Sequence, residues 1–201
     1  VLEGKRSNDP VCLVLGYGCL GYDYRALGNN VKSLEYNLEA NKIAEETNDD
    51  RLICFAKGML AINYLDLKDY KKAIAYNKAS IDAAARFEIN IISVVNILDM
   101  GTIYLADNRV DSAIVYTQKA YEASIANGID YWMAPIYMQF GQIYNINKTP
   151  NLAISFIRQA ILEAHRIKSP KYICLTYTQL ANYYLNNQVK CWPIMIITQS
   201  I

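Results

Sequence analysis

The chain has 201 residues, 53% of them hydrophobic and 19% charged, with a formal net charge of +1. That balance excludes a disordered chain and supplies ample apolar material for a continuous core. Positive charge never concentrates beyond the pair Lys71-Lys72, which argues against nucleic acid or an anionic membrane as the main partner.

Residues 1–8 read as a disordered leader. Asp9-Pro10 then opens a helix over 10–27. Asp9 can N-cap, and the missing N–H of Pro10 is harmless at the first helical position. Gly28-Asn29-Asn30 breaks the chain before a helix over 31–47, and Asn48-Asp49-Asp50 before one over 50–66. Lys68-Asp69 precedes helices at 70–86 and 90–106, Asp107-Asn108 precedes 110–126, and Asn127-Gly128 precedes 130–146. The cap-and-proline device returns at Thr149-Pro150 and Ser169-Pro170, starting helices over 150–167 and 170–186. These breaks are turn and cap residues where a helical pair must reverse, and each helix is about 25 Å long. No segment reads as a strand. Beyond 187 the pattern weakens: Trp192-Pro193 stands where a small helix former is expected. The spacing there predicts a shortened helix or an irregular tail with an apolar end, open to a further repeat, a partner or a second copy.

A forty-residue pattern orders these elements. A large residue, a small one and a tyrosine recur at Leu20-Gly21…Tyr24, Leu60-Ala61…Tyr64, Met100-Gly101…Tyr104, Phe140-Gly141…Tyr144 and Leu180-Ala181…Tyr184. Twelve residues after each of the first four small residues comes another (Ser33, Ala73, Ala113 and Ala153). An aliphatic follows, then Tyr36, Tyr76, Tyr116 or Phe156, then Ala40, Ser80, Ala120 or Ala160. Small residues let two antiparallel helices approach, and the large ones fill the layer between successive pairs. A single pair cannot bury both its faces, so neighbours must stack.

This layout resembles the tetratricopeptide repeat, over about residues 10–187. The unit from Met100-Gly101 through Ala113-Ile114 to Ala120 fits every small and aromatic position, with Ile97 in place of the usual tryptophan. The period is longer than the family's usual one and is similar to the long-helix branch of kinesin light chains and bacterial signalling regulators. The resemblance implies an all-α, right-handed α-solenoid of about five antiparallel helix pairs, in a single domain over 9–201. It implies a concave face, lined by each first helix, that binds peptides or protein segments.

Family register places Tyr22, Arg25, Ile62, Leu65, Asp66, Asp99, Thr102, Gln139, Gln142, Asn145, Gln179, Asn182 and Asn186 on that face. Its N-terminal half mixes apolar and charged residues, and its C-terminal half is rich in amides. Amides both donate and accept, which suits an extended peptide backbone. Gly18, Gly58 and Thr178 stand where some members carry a lysine for a C-terminal carboxylate, so tail binding of that kind is not expected.

Other motifs carry less. Gly16-Tyr17-Gly18-Cys19-Leu20-Gly21 reads GxGxxG after an apolar run, the pattern of a dinucleotide loop. However, the repeat already explains Gly21, and the strand–helix–strand alternation is missing. His165 is the single histidine, with no clustered Cys, Asp or Glu to complete a metal site or a catalytic triad. Asn147-Lys148-Thr149 fits a glycosylation sequon but also supplies a helix cap. The five cysteines, odd in number and without CxxC spacing, read as buried reduced thiols in a cytoplasmic protein. The expected function is a non-catalytic protein- or peptide-binding scaffold, the regulatory part of a larger signalling protein, without metal or cofactor. The alternatives are a homodimerising scaffold joined through its C-terminal end and, more remotely, a nucleotide-dependent enzyme built on the glycine motif.

Overall fold

The turn chemistry of the sequence appears directly in the structure, a computed structural model that describes residues 9–86 and 90–187. The helices in order are α1 (Pro10–Ala26), α2 (Asn30–Thr47), α3 (Asp50–Asp66), α4 (Tyr70–Arg86), α5 (Asn90–Ala106), α6 (Val110–Ala126), α7 (Met133–Ile146), α8 (Pro150–Arg166) and α9 (Pro170–Asn186). Among the described residues there is no strand. The expected leader lies outside them, as does the irregular last segment with Trp192, Pro193 and any dimer contact there.

Each described turn ends its helix with a residue in the left-handed region. Gly28, Asn48, Lys68, Asn108, Gly128, Lys148 and Lys168 all have φ between 51° and 76°. At each of these turns but that of Asn48, two amides then return to carbonyls of the preceding helix: Lys68 N–H donates to Leu65 O at 2.9 Å and Asp69 N–H to Tyr64 O at 2.9 Å. This satisfies orphan acceptors that would otherwise face the next helix. The side chains of Asp9, Asn29, Asp49, Asp69 and Ser169 accept from backbone amides of the helices they precede. Thr149 does not cap as expected. Its hydroxyl donates to Tyr144 O at 2.9 Å, so it closes the preceding helix instead.

One element departs from the spacing. Residues Asp130–Trp132 form a 3-10 turn ahead of α7, where continuous α-helix was expected. Pro135 lacks the N–H that would bond Tyr131 O across a first α-turn, so the tighter turn carries the chain into α7.

The chain divides into two compact units, Val1–Asp130 and Tyr131–Ile201. In the first, the hairpins α1–α2, α3–α4 and α5–α6 stack in order: α3 lies against α2 and α1, and α5 against α4 and α3. In the second, α8 pairs with α7, and α9 lies on both. The small residues do what their spacing demands. Ser33, Ala73, Ala113 and Ala153 are fully buried, and Ala40, Ser80, Ala120 and Ala160 nearly or fully so. The large partners Leu60, Met100, Phe140 and Leu180 are buried as well. Within each hairpin the two aromatics of the repeat meet: Tyr24 with Tyr36, Tyr64 with Tyr76, Tyr104 with Tyr116, and Tyr144 with Phe156, all with ring centroids 5.3 Å apart.

Candidate functional site

The residues expected on the repeat face separate into two groups, one in each unit. In the second unit, α7 and α9 run side by side and enclose a cleft of about 300 Å³. Gln142 and Asn145 line it from α7, and Gln179, Asn182 and Asn186 from α9, so five of the residues expected on the repeat face border one cavity. Met138, Ile157 and Leu175 supply its apolar wall. Close approach depends on Gly141. A Cβ there would stand 2.8 Å from Ile157 Cγ1 and 3.1 Å from Gln179 Nε2. Gln179 spends its amide N–H on Met138 O at 2.7 Å and thereby ties α9 to α7. Asn145 Oδ1 accepts from Asn187 Nδ2 at 3.1 Å. Gln142, Asn182 and Asn186 are exposed along the cleft. Gln139 was expected in this row, but it is only 5% exposed and is withdrawn from the surface, although Gln179 in the same register lines the cleft.

In the first unit the face is charged. Arg25 of α1 donates from Nε and Nη2 to the two oxygens of Asp66 of α3, at 2.5 and 3.2 Å. This bidentate pair links successive first helices, and its hydrogen bonds raise the already basic Arg25 guanidinium further. Asp99 of α5 feels the charge of Arg25 but is dominated by burial, which pushes its carboxyl up to about 6. Some of its surface stays open to solvent, although protein atoms surround it on nearly every side. Tyr22 is 56% exposed, and Thr102 is also exposed, with its hydroxyl donating to Leu98 O at 3.3 Å.

Sequence reasoning missed a set of buried amides. Ser33 Oγ donates to Gly21 O at 2.7 Å, Asn63 Nδ2 to Ser33 Oγ at 2.6 Å, and Asn37 Nδ2 to Asn63 Oδ1 at 2.5 Å. At the next joint, Asn96 Nδ2 donates to Ser80 Oγ at 2.8 Å, Asn77 Nδ2 to Asn96 O at 2.9 Å and Ser80 Oγ to Cys54 O at 2.7 Å. Asn37 and Asn77 share a register, which was the available signal: a polar residue recurring where the helix faces the core. These amides cross-link hairpins and are not offered to a ligand.

The remaining motifs resolve simply. GYGCLG lies in the middle of α1, where helical hydrogen bonds use its amides, so no loop is present to cradle a phosphate. Its glycines serve packing. A Cβ at Gly18 would stand 2.5 Å from the Phe55 ring, and one at Gly21 would overlap the Asn37 amide. His165 faces Tyr177, with Nε2 and the hydroxyl 3.4 Å apart. Contrary to expectation, Cys12, Cys19 and Cys174 are exposed, and Cys54 alone of the described cysteines is buried. Cys191 lies outside the described residues. No described helix is long and apolar enough to cross a membrane.

No protein-family model and no curated protein sequence matches the chain. Solved structures do. An aspartyl phosphate phosphatase F from Bacillus subtilis is 18% identical with a TM-score of 0.75, over 87% of this chain and 46% of that one. A signal transduction ATPase with numerous domains from Pyrococcus horikoshii, described as carrying a tetratricopeptide repeat sensor, is 19% identical with a TM-score of 0.73, over 88% of this chain and 28% of that one. A kinesin light chain-like protein with tetratricopeptide-like repeats from Podosopora anserina is 13% identical with a TM-score of 0.67, over 88% of both chains. The fold is that of tetratricopeptide-repeat proteins. The chain spans about half the length of the phosphatase and about a quarter of the ATPase. Tetratricopeptide hairpins leave their first helices side by side, which is how α7 and α9 come to share the amide cleft.

Proposed function

We propose that the chain is a non-catalytic binding module that holds a segment of another protein along the first helices of its repeats. The observation that carries this reading is the cleft between α7 and α9, bordered by Gln142, Asn145, Gln179, Asn182 and Asn186. Amides neither transfer protons readily nor attack carbonyls, but they donate and accept together. A peptide backbone presents the matching alternation, and the apolar wall of Met138, Ile157 and Leu175 accommodates a side chain. The names of two similar structures, a phosphatase of aspartyl phosphate and a signal transduction ATPase with a repeat sensor, support a regulatory role within a larger signalling protein.

The test is a triple replacement of Gln142, Asn145 and Asn182 by alanine. A randomised heptapeptide library is passed over the immobilised full chain and over the variant. The parent should retain a peptide pool and the variant should lose most of it, with unchanged helical circular dichroism. Equal retention by both would remove the cleft from this role.

A further inference from the structure

One side of α1 repeats a joint that is closed elsewhere in the chain. Inside the first unit, α3 meets α2 in a core that joins Leu52 and Ala56 to Ala40 and Ala44, with Phe55 against it. Leu52 and Ala56 are buried there, and so is Asn63, whose Oδ1 accepts from Asn37 of α2. The second unit uses the same places on α9, where Tyr172, Thr176 and Tyr183 are buried. One period before α3, α1 carries Cys12, Leu15, Gly16 and Asp23 in these places. Cys12 and Asp23 are exposed, and Leu15 keeps 45% of its surface open. The other side of α1 is already spent, with Gly18 against Phe55 of α3 and Gly21 against Asn37 of α2. A helix that is apolar on two sides is built for an interior.

The joint that α1 repeats also sets what fits it. A helix with small residues in the places of Ala40 and Ala44 can lie on Leu15 and Gly16. An amide in the register of Asn37 can donate to Asp23, as Asn37 donates to Asn63, and so satisfy a polar group in a closed seam. Pairing α1 with a second α1 supplies no such amide, since α1 contains no asparagine or glutamine. The sequence on the N-terminal side of α1 keeps the register too. Gly4 stands forty residues before the buried Ala44, and Asn8-Asp9 forty before Asn48-Asp49, the turn between α2 and α3. We infer that α1 is an inner helix of the array, and that a further hairpin of the same polypeptide lays its second helix along Cys12, Leu15 and Gly16. This goes beyond the binding of a protein segment and does not depend on it.

The test adds the hairpin that the joint calls for. In an extended chain, residues 1–8 are replaced by a copy of residues 9–48, so that a second α2 precedes Asp9. Helical ellipticity should rise in proportion to the added length, and the urea midpoint should rise with it. Alkylation of Cys12, followed by mass spectrometry, should slow by roughly tenfold against the parent, because an enclosed thiol reacts only through local opening. Leu15→Lys should leave the parent's midpoint in place and cancel the gain in the extended chain. A copy that adds no helix, or one that folds and leaves Cys12 as reactive as in the parent, overturns the inference. So does a parent that sediments as a dimer with Cys12 already protected, since a second copy then covers α1.

Discussion

The ring of Tyr144 lies parallel to that of Phe156, with centroids 5.3 Å apart and planes within 4°. The contact joins α7 to α8 inside one hairpin, and Phe140 extends it, 4.9 Å from Phe156. Replacing Phe156 with alanine removes both contacts and a large part of the hairpin interior. Urea unfolding should show a loss of about 3 kcal/mol. A double-mutant cycle with Tyr144→Leu should leave a coupling of about 0.5–1.5 kcal/mol. A coupling of zero would mean that the stacking follows from burial alone.

Two helical glycines should respond to alanine with opposite signs. At Gly21 the new methyl would overlap the Asn37 amide and break the chain of hydrogen bonds through Asn63 and Ser33. Gly21→Ala should cost about 1–3 kcal/mol. At Gly58 the nearest atoms, Asn96 Oδ1 and Ser80 Oγ, stand 3.4 Å from the methyl position. There the gain in helix propensity prevails, and Gly58→Ala should stabilise by about 0.5–1 kcal/mol. Thermal melts of the two variants check the pair together, and two melting temperatures moving the same way would contradict the geometry.

The left-handed lysines carry avoidable strain. Lys68 and Lys148 have φ of 60° and 55°, at the register where Gly28 has 76°. Lys148→Gly relieves the contact between Cβ and carbonyl and should raise stability by about 0.5–1 kcal/mol, read from the urea midpoint. The same change at Tyr144, four residues back inside α7, should destabilise.

Asp99 makes stability depend on pH in an unusual direction. The unfolded chain gives up this proton near 3.8 and the folded chain near 6. Between those values the folded state binds more protons, so the contribution of Asp99 falls as pH rises from about 4 to 6 and stays low above. Asp99→Asn should therefore unfold together with the parent near pH 4. At pH 7 it should be more stable, by up to about 3 kcal/mol. Urea midpoints at the two values decide it, and a gap that does not widen with pH would show that solvent already screens the carboxyl.

Local signals carried the fold. Proline after a cap residue, Asn/Asp/Gly turns and the forty-residue recurrence fixed the helix bounds almost to the residue, because each acts within one turn of chain. The amide cleft was legible for the same reason: register alone places Gln142, Asn145, Asn182 and Asn186 on one side of their helices. What escaped depends on partners distant in sequence. Asn37 reads as an ordinary polar residue until Asn63 is seen across from it, and Arg25 looks like a free groove cation until Asp66 engages it. Gln139 shows the reverse error, since register cannot tell an exposed amide from one turned inward. The 3-10 turn at Asp130–Trp132 was foreshadowed by Pro135, whose missing N–H acts four residues upstream.

The buried asparagines also set how freely the hairpins can be rearranged. Positions held by Asn37 and Asn63 in the first unit become Ile157 and Tyr183 in the second. Splicing out one whole forty-residue period, or exchanging two, would set an amide against an aliphatic side chain and strand its polar atoms in a dry seam. In spite of its regular spacing, this array is therefore not modular: the joints inside each unit are keyed to their own neighbours, and shortened or shuffled versions should fold poorly even with each hairpin intact.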